Sequence, residues 1–122
     1  MIHEARYVFI ASMDVAREHQ ALFDRVYNEE HIPNLLRVPG VRSAVRFRRR
    51  EFQLRLGGEL TTLGIENEPR NSVVYEIEAP EVLVSTEWSR QVEAGRWPKE
   101  IRPLTSNRRH VLLERLVPID ER

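Results

Sequence analysis

His31 is the side chain in this sequence best suited to moving a proton near neutral pH, and it follows Glu30 directly, with Asn28 close before it. An imidazole ordinarily titrates at about pH 6.5. A nearby carboxylate is the kind of group that orients such a ring as a general base. The same ring at the C-terminal end of a helix can equally act as a cap, donating to carbonyls left open there. His3, His19 and His110 are the other histidines, and none sits one helical turn from another. His3, just before the first strand expected below, and His110, in the last, can touch in the fold. No metal site is expected.

Arg42, Arg46 and Arg48 share one side of a strand-like run, and Glu76 and Glu78 share one side of another. Lining a cavity, these groups would grip a carboxylate or phenolate through paired N–H donors. Facing each other, Arg46 and Glu76 would instead form a structural ion pair, because buried charges must be matched. Tyr27, Trp88 and Trp97 can stack on a planar ligand or fill a core. Arg48-Arg49-Arg50 reads as a solvated edge, since little aromatic interleaving accompanies it. There is no glycine-rich phosphate loop and no nucleophile elbow.

The elements that must position these groups follow from periodicity. Residues 6–13 are β-branched and aromatic, with apolar side chains on both faces, which predicts a central strand covered on each side. Asp14 can cap a helix that carries Val15, Leu22, Phe23, Val26 and Tyr27 at helical spacing to about Glu30. Pro33 cannot continue that helix and predicts a kink near His31-Ile32. Residues 41–48 are a second strand with Val41, Val45 and Phe47 on one face. The apolar parity then slips to Phe52, Leu54 and Leu56, so a bulge or turn is expected near 48–51. Gly57-Gly58 opens an expected loop lasting to Asn71. Residues 72–79 are a third strand. Ser85 caps a helix through Trp88 and Val92 to Gly95, residues 96–106 are loop, and 109–117 are the last strand, ended by Pro118.

The order β-α-β-β-α-β predicts an α+β, ferredoxin-like fold with a four-stranded antiparallel sheet and both helices on one face. The other face should be polar if solvated, yet the first strand is apolar on both sides. A second copy of the chain, packed sheet to sheet about a two-fold axis, is the economical cover.

Composition narrows the classes further. One hundred and twenty-two residues, 41% apolar and 31% charged, suit one soluble domain spanning 1–122. Nineteen basic residues balance nineteen acidic ones, leaving no field to draw the chain to nucleic acid or an anionic membrane. Cysteine is absent, so disulfide and thiolate chemistry are excluded. Lys99 is the single lysine and lies in an expected loop, which argues against a Schiff base. No apolar run spans a bilayer and no leader pattern opens the chain, so a cytoplasmic location is expected.

Tyr27-Asn28-Glu29-Glu30-His31-Ile32-Pro33, Val38-Pro39-Gly40-Val41, Arg46-Phe47 and the junction Val74 to Leu83 together resemble the dimeric α/β-barrel superfamily. The similarity is greatest to small bacterial members with an aromatic-Asn-x-Glu-His-x-Pro helix end. That superfamily includes muconolactone-isomerase-like proteins, cofactor-free monooxygenases, ether-degradation-accessory-like proteins and longer heme enzymes. The resemblance implies a homodimer enclosing a barrel-like cavity for a small apolar or aromatic molecule. It does not imply one chemistry, because a shared fold hosts many functions. The residues themselves lead us to expect cofactor-free proton transfer or oxygenation, with His31 as base and Tyr27, Asn28, Glu30, Arg46, Glu76 and Trp88 around the ligand. A non-enzymatic binding or accessory protein using the same cavity is the alternative.

Overall fold

The computed structural model describes residues 4–64 and 66–116. Strand β1 (Tyr7–Val15) leads through a 3-10 turn into α1 (Gln20–Val26), a π-turn (Tyr27–His31) and α2 (Ile32–Leu35). Strand β2 (Val41–Arg48) follows, then a separate hairpin of β3 (Phe52–Leu56) and β4 (Glu59–Leu63). Strand β5 (Asn71–Ile77) returns to the main sheet, followed by a 3-10 turn (Pro80–Val84) and α3 (Thr86–Val92). A second π-turn (Trp97–Ile101) and a 3-10 turn (Arg102–Leu104) then lead into β6 (Thr105–Glu114).

The main sheet has the order β2-β5-β1-β6 with every neighbour antiparallel, the ferredoxin-like arrangement expected from the sequence. The helices cover one face. Phe23, Val26 and Leu35 pack against Ala11 and Met13 of β1 and Val73, Tyr75 and Ile77 of β5. Gly40, at a φ of 93°, makes the turn into β2, and its carbonyl accepts from the Glu78 amide. Ser85 caps α3 as expected, its hydroxyl accepting from the Trp88 amide.

Strand β2 runs over the predicted residues, but a bulge between Val41 and Ser43 shifts its register on β5. One extra residue reverses which side every later side chain faces. Val41 therefore packs on the helix side, while Val45 and Phe47 point to the open face and are exposed. Ala44, Arg46 and Arg48, paired with Tyr75, Val73 and Asn71, lie on the helix side.

The segment expected to be a loop from Gly57 to Asn71 is mostly ordered otherwise. Gly57 and Gly58 both have positive φ and form the two-residue turn of the β3–β4 hairpin. The parity slip after Arg48 marks where the chain leaves the main sheet. His3, Val117 and Pro118 lie outside the described residues, so the His3–His110 contact and the end of the last strand do too. Among the described residues no helix is long and apolar enough to cross a membrane.

Candidate functional site

Both π-turns face one space. A π-turn sets each N–H five residues ahead of its carbonyl partner, and here the Ile32 amide reaches Tyr27 O while the Arg102 amide reaches Trp97 O. Pro33 has no N–H to give Glu29, so the helix widens over Tyr27–His31 before resuming, where the sequence predicted a kink. Tyr27 and His31 both turn inward and are buried, as are Trp97 and Ile101 of the second turn.

Between these turns and the sheet lies a chamber of about 370 Å³. Its walls are flat rings. Trp97 stacks on His31 with centroids 4.2 Å apart, and Tyr27 meets both edge-on at 4.9 and 5.1 Å. Across the chamber Phe9 stacks on Tyr75 and on His110, and Trp88 presents its edge to Phe9 and Tyr75. Arg108 and His110, both exposed on β6, stand at its mouth.

Burial pushes the His31 imidazole down to about 4, and the positive charge of Arg102 adds to this. The ring is therefore neutral at physiological pH. His31 Nδ1 is shielded and has no hydrogen-bond partner. The ring still borders the chamber, so Nε2 is the nitrogen able to meet a ligand. With nothing bound to Nδ1, no hydrogen bond fixes the tautomer, and Nε2 can present either a lone pair or an N–H. Burial raises the Tyr27 and Tyr75 hydroxyls above their ordinary value, and the two interact with each other. Both remain neutral phenols.

Of the residues singled out in the sequence, His31, Tyr27 and Trp88 line the chamber, and so does Trp97. Glu30 does not orient His31. Its carboxylate accepts from the Arg96 amide at 2.9 Å and from Arg96 Nε at 2.6 Å, and these bonds hold it below the usual carboxylate range. Asn28 accepts from Arg46, which also donates to Asp24 at 2.7 Å and lies over the rings of Phe23 and Tyr27. Arg46 thus backs the chamber wall from behind. The expected pairing of Arg46 with Glu76 is not formed, because the β2 bulge puts them on opposite faces of the sheet. Glu76 accepts from Ser43 on the open face instead. The helical spacing of Asp24 and Asn28 was the signal that Arg46 has partners on α1 and the π-turn that follows it.

The chamber is lined by residues of one chain, on the helix side of the sheet, whereas a cavity between two sheets would lie on the other face. Phe9, Tyr75, Arg102 and Arg108 also line it and were not singled out from the sequence, and His110 was singled out only for a contact with His3. Phe9 and Tyr75 read as ordinary alternating strand residues. His110 and Arg108 could be placed only with the register of β6 on β1. Among the described residues no group of three or more His, Cys, Asp or Glu could hold a metal ion.

No protein-family description matches the sequence, and no curated protein does. Two solved structures share the fold. One is an arginine-to-serine variant of MhuD with two manganese protoporphyrin IX molecules bound per active site, 14% identical, with a TM-score of 0.58 over 94% of this chain and 99% of that one. The other is the heme-degrader MhuD from Mycobacterium tuberculosis with two hemes bound in its active site, 17% identical, with a TM-score of 0.52 over 93% and 98% of the two chains.

Proposed function

We propose that this chain works as a cytoplasmic homodimer that binds a planar, largely apolar aromatic molecule in the chamber between its sheet and its helices. His31 Nε2 then acts as the acceptor for an acidic proton of that molecule. The observation that carries this reading is a neutral imidazole bordering a chamber walled by flat rings, with no carboxylate bonded to it. Ligand sites of this kind are concave and apolar, with volumes of roughly 300–1,000 Å³ and a few placed polar groups. Arg108 has no ion-pair partner among the described residues and suits an acidic substituent directed at the mouth. Removing the proton leaves an enolate or phenolate beside imidazolium, with the neutral Tyr27 hydroxyl, which accepts from Tyr75, as the donor to the oxygen.

The manganese protoporphyrin and the hemes bound in the two structural neighbours raise a metalloporphyrin as occupant. A ligating histidine nearly always donates its second ring nitrogen to a carboxylate, carbonyl or water. His31 Nδ1 has no such partner, and Glu30 is committed to Arg96. The residues do not fit a metal-bound group.

The test is a titration with 2-naphthoate and, separately, hemin, read by quenching of Trp97 and Trp88. Saturable quenching by naphthoate is expected, weakened at least about tenfold by Arg108→Gln and by His31→Ala. Hemin is expected to give no histidine-ligated Soret band. Exchange of the C1 hydrogen of 2-naphthol into D2O, followed by NMR, separates a base from a mere binder. Exchange that stops in His31→Ala supports catalysis, and binding without exchange favours the accessory role. If naphthoate causes no saturable quenching, the chamber does not serve planar aromatics.

A further inference from the structure

We propose that the β3–β4 hairpin is an exchange arm that docks on the open sheet face of a second copy of this chain, a step that rests on the homodimer of the reading above. Among the described residues the hairpin strands pair only with each other, and residues 50–60 are exposed. An isolated two-stranded hairpin is marginal in water and needs an apolar face covered. Phe52, Leu54 and Leu56 share one side of β3, and Leu63 stands opposite Phe52. The β3 half of that side is apolar and about half exposed, with Thr61 and Glu59 beside it on β4.

The arm is aimed rather than loose. Its base is held to the main sheet by the Arg70 amide on Asp14, by Asn107 on Asp14 and Asn67 O, and by Arg109 on Glu68 and Asn67 O. With its base fixed in this way, little ordering cost remains on docking. A matching surface exists on the open face, where Val45, Phe47, Val111 and Leu113 are 45–55% exposed.

The surface area points to a second copy as the occupant. The chain presents 8395 Å² of accessible surface. A folded monomer of its mass presents about 6,800 Å². The uncovered arm and the uncovered sheet face contribute to that excess, and a standard interface takes roughly 800 Å² from each partner. Zero net charge means that two copies do not repel.

The sequence contains no cysteine, so introduced thiols report contacts directly. Leu54→Cys protein is mixed in turn with Val45→Cys and with Val111→Cys and mildly oxidised. A disulfide between the two variants, in excess of either variant with itself, is expected for at least one pair. Dominant Leu54→Cys self-crosslinking would mean arm against arm and overturns the proposal, as does no crosslink to either sheet position. Sedimentation of Phe52→Ser/Leu54→Ser is the second measurement, with dimerisation weakened at least about thirtyfold and the far-UV spectrum unchanged. A wild-type monomer at micromolar concentration removes the homodimer and this arm together. A wild-type dimer that the arm variant leaves unaltered removes the arm alone.

Discussion

The imidazole of His31 lies on the indole of Trp97, with 4.2 Å between centroids and 18° between planes. Each residue belongs to a π-turn, and the turns come from opposite halves of the chain. Widened turns recur at functional sites because they re-aim side chains that a regular helix would spread around its axis. Here they place Tyr27, His31 and Trp97 in mutual ring contact along one wall, while the sheet supplies the facing wall. The chemistry that results is a shielded neutral base in an apolar room.

That shielding has a consequence for stability. Burial holds His31 at about 4, against about 6.5 in an unfolded chain. Between these values the unfolded state binds more protons, so the unfolding free energy falls as the pH drops from about 6.5 to about 4, by about 3 kcal/mol in all. Above that window His31 adds no pH dependence. His31→Phe keeps an aromatic ring on Trp97 and removes the titrating group. Urea unfolding at pH 7, 5.5 and 4.5 should give a clear slope for the wild type and a flatter one for the variant. Equal slopes would place the loss of stability elsewhere.

The segment that carries Trp97 is tied down by Glu30. Its two oxygens take the Arg96 amide and Arg96 Nε, and a Cβ on Gly95 would come within 2.6 Å of Glu30 Oε1. Glu30→Gln weakens the charge-assisted bonds while keeping the side chain's size. Amide hydrogen exchange at Arg96 and Trp97 should accelerate, and Trp97 emission should shift to the red as the π-turn loosens. Exchange rates unchanged at both amides would show that the clamp is incidental.

The two-sided apolar pattern of β1, the Ser85 cap and the break at Pro33 were readable because each rests on a local rule. The parity slip at Phe52 was also visible, but periodicity does not say whether a strand bulges or departs. Gly57-Gly58 carries a hairpin signal between two short runs, and the polar Glu59–Leu63 run masked the second strand. Arg46 and Glu76 were assigned to one face because an unseen extra residue near Arg42 reverses β2. The Glu30–Arg96 clamp joins residues 66 apart in sequence, and no spacing rule reaches that far. Trp97 was noticed as a ring but lay in a Trp-Pro stretch that reads as loop. A π-turn has no composition of its own to betray it.

Gly40 tests the turn that launches β2. Its φ of 93° is in the region that side chains avoid, and a Cβ there would sit 2.5 Å from Val82 Cγ2. Gly40→Ala should cost about 1–3 kcal/mol, part from the backbone and part from the clash. Adding Val82→Ala should return only the steric part, beyond the cavity cost that Val82→Ala shows alone. Full recovery in the double variant would mean that the backbone angle carries no strain.

Arg46 is the last case, because two effects compete in it. Its guanidinium donates to Asp24 and Asn28 and also lies 5.2 Å from the Tyr27 ring centroid and 5.4 Å from that of Phe23. Burial pushes the Asp24 carboxyl up, but hydrogen bonds from Arg46 and Gln20 outweigh it and the carboxyl is held low. The Arg46 side chain is 19% exposed and Asp24 32%, so solvent screens the pair and its worth is modest. Arg46→Met preserves the apolar stem over the rings and leaves Asp24 with Arg48 and Gln20. A loss of about 1–2 kcal/mol in urea unfolding is expected. Asp24→Asn should cost less on the Arg46→Met background than on the wild type, with a coupling of about 1 kcal/mol. Strictly additive costs would mean that the guanidinium acts through the rings it covers, and the ion pair would then be a bystander to the chamber wall.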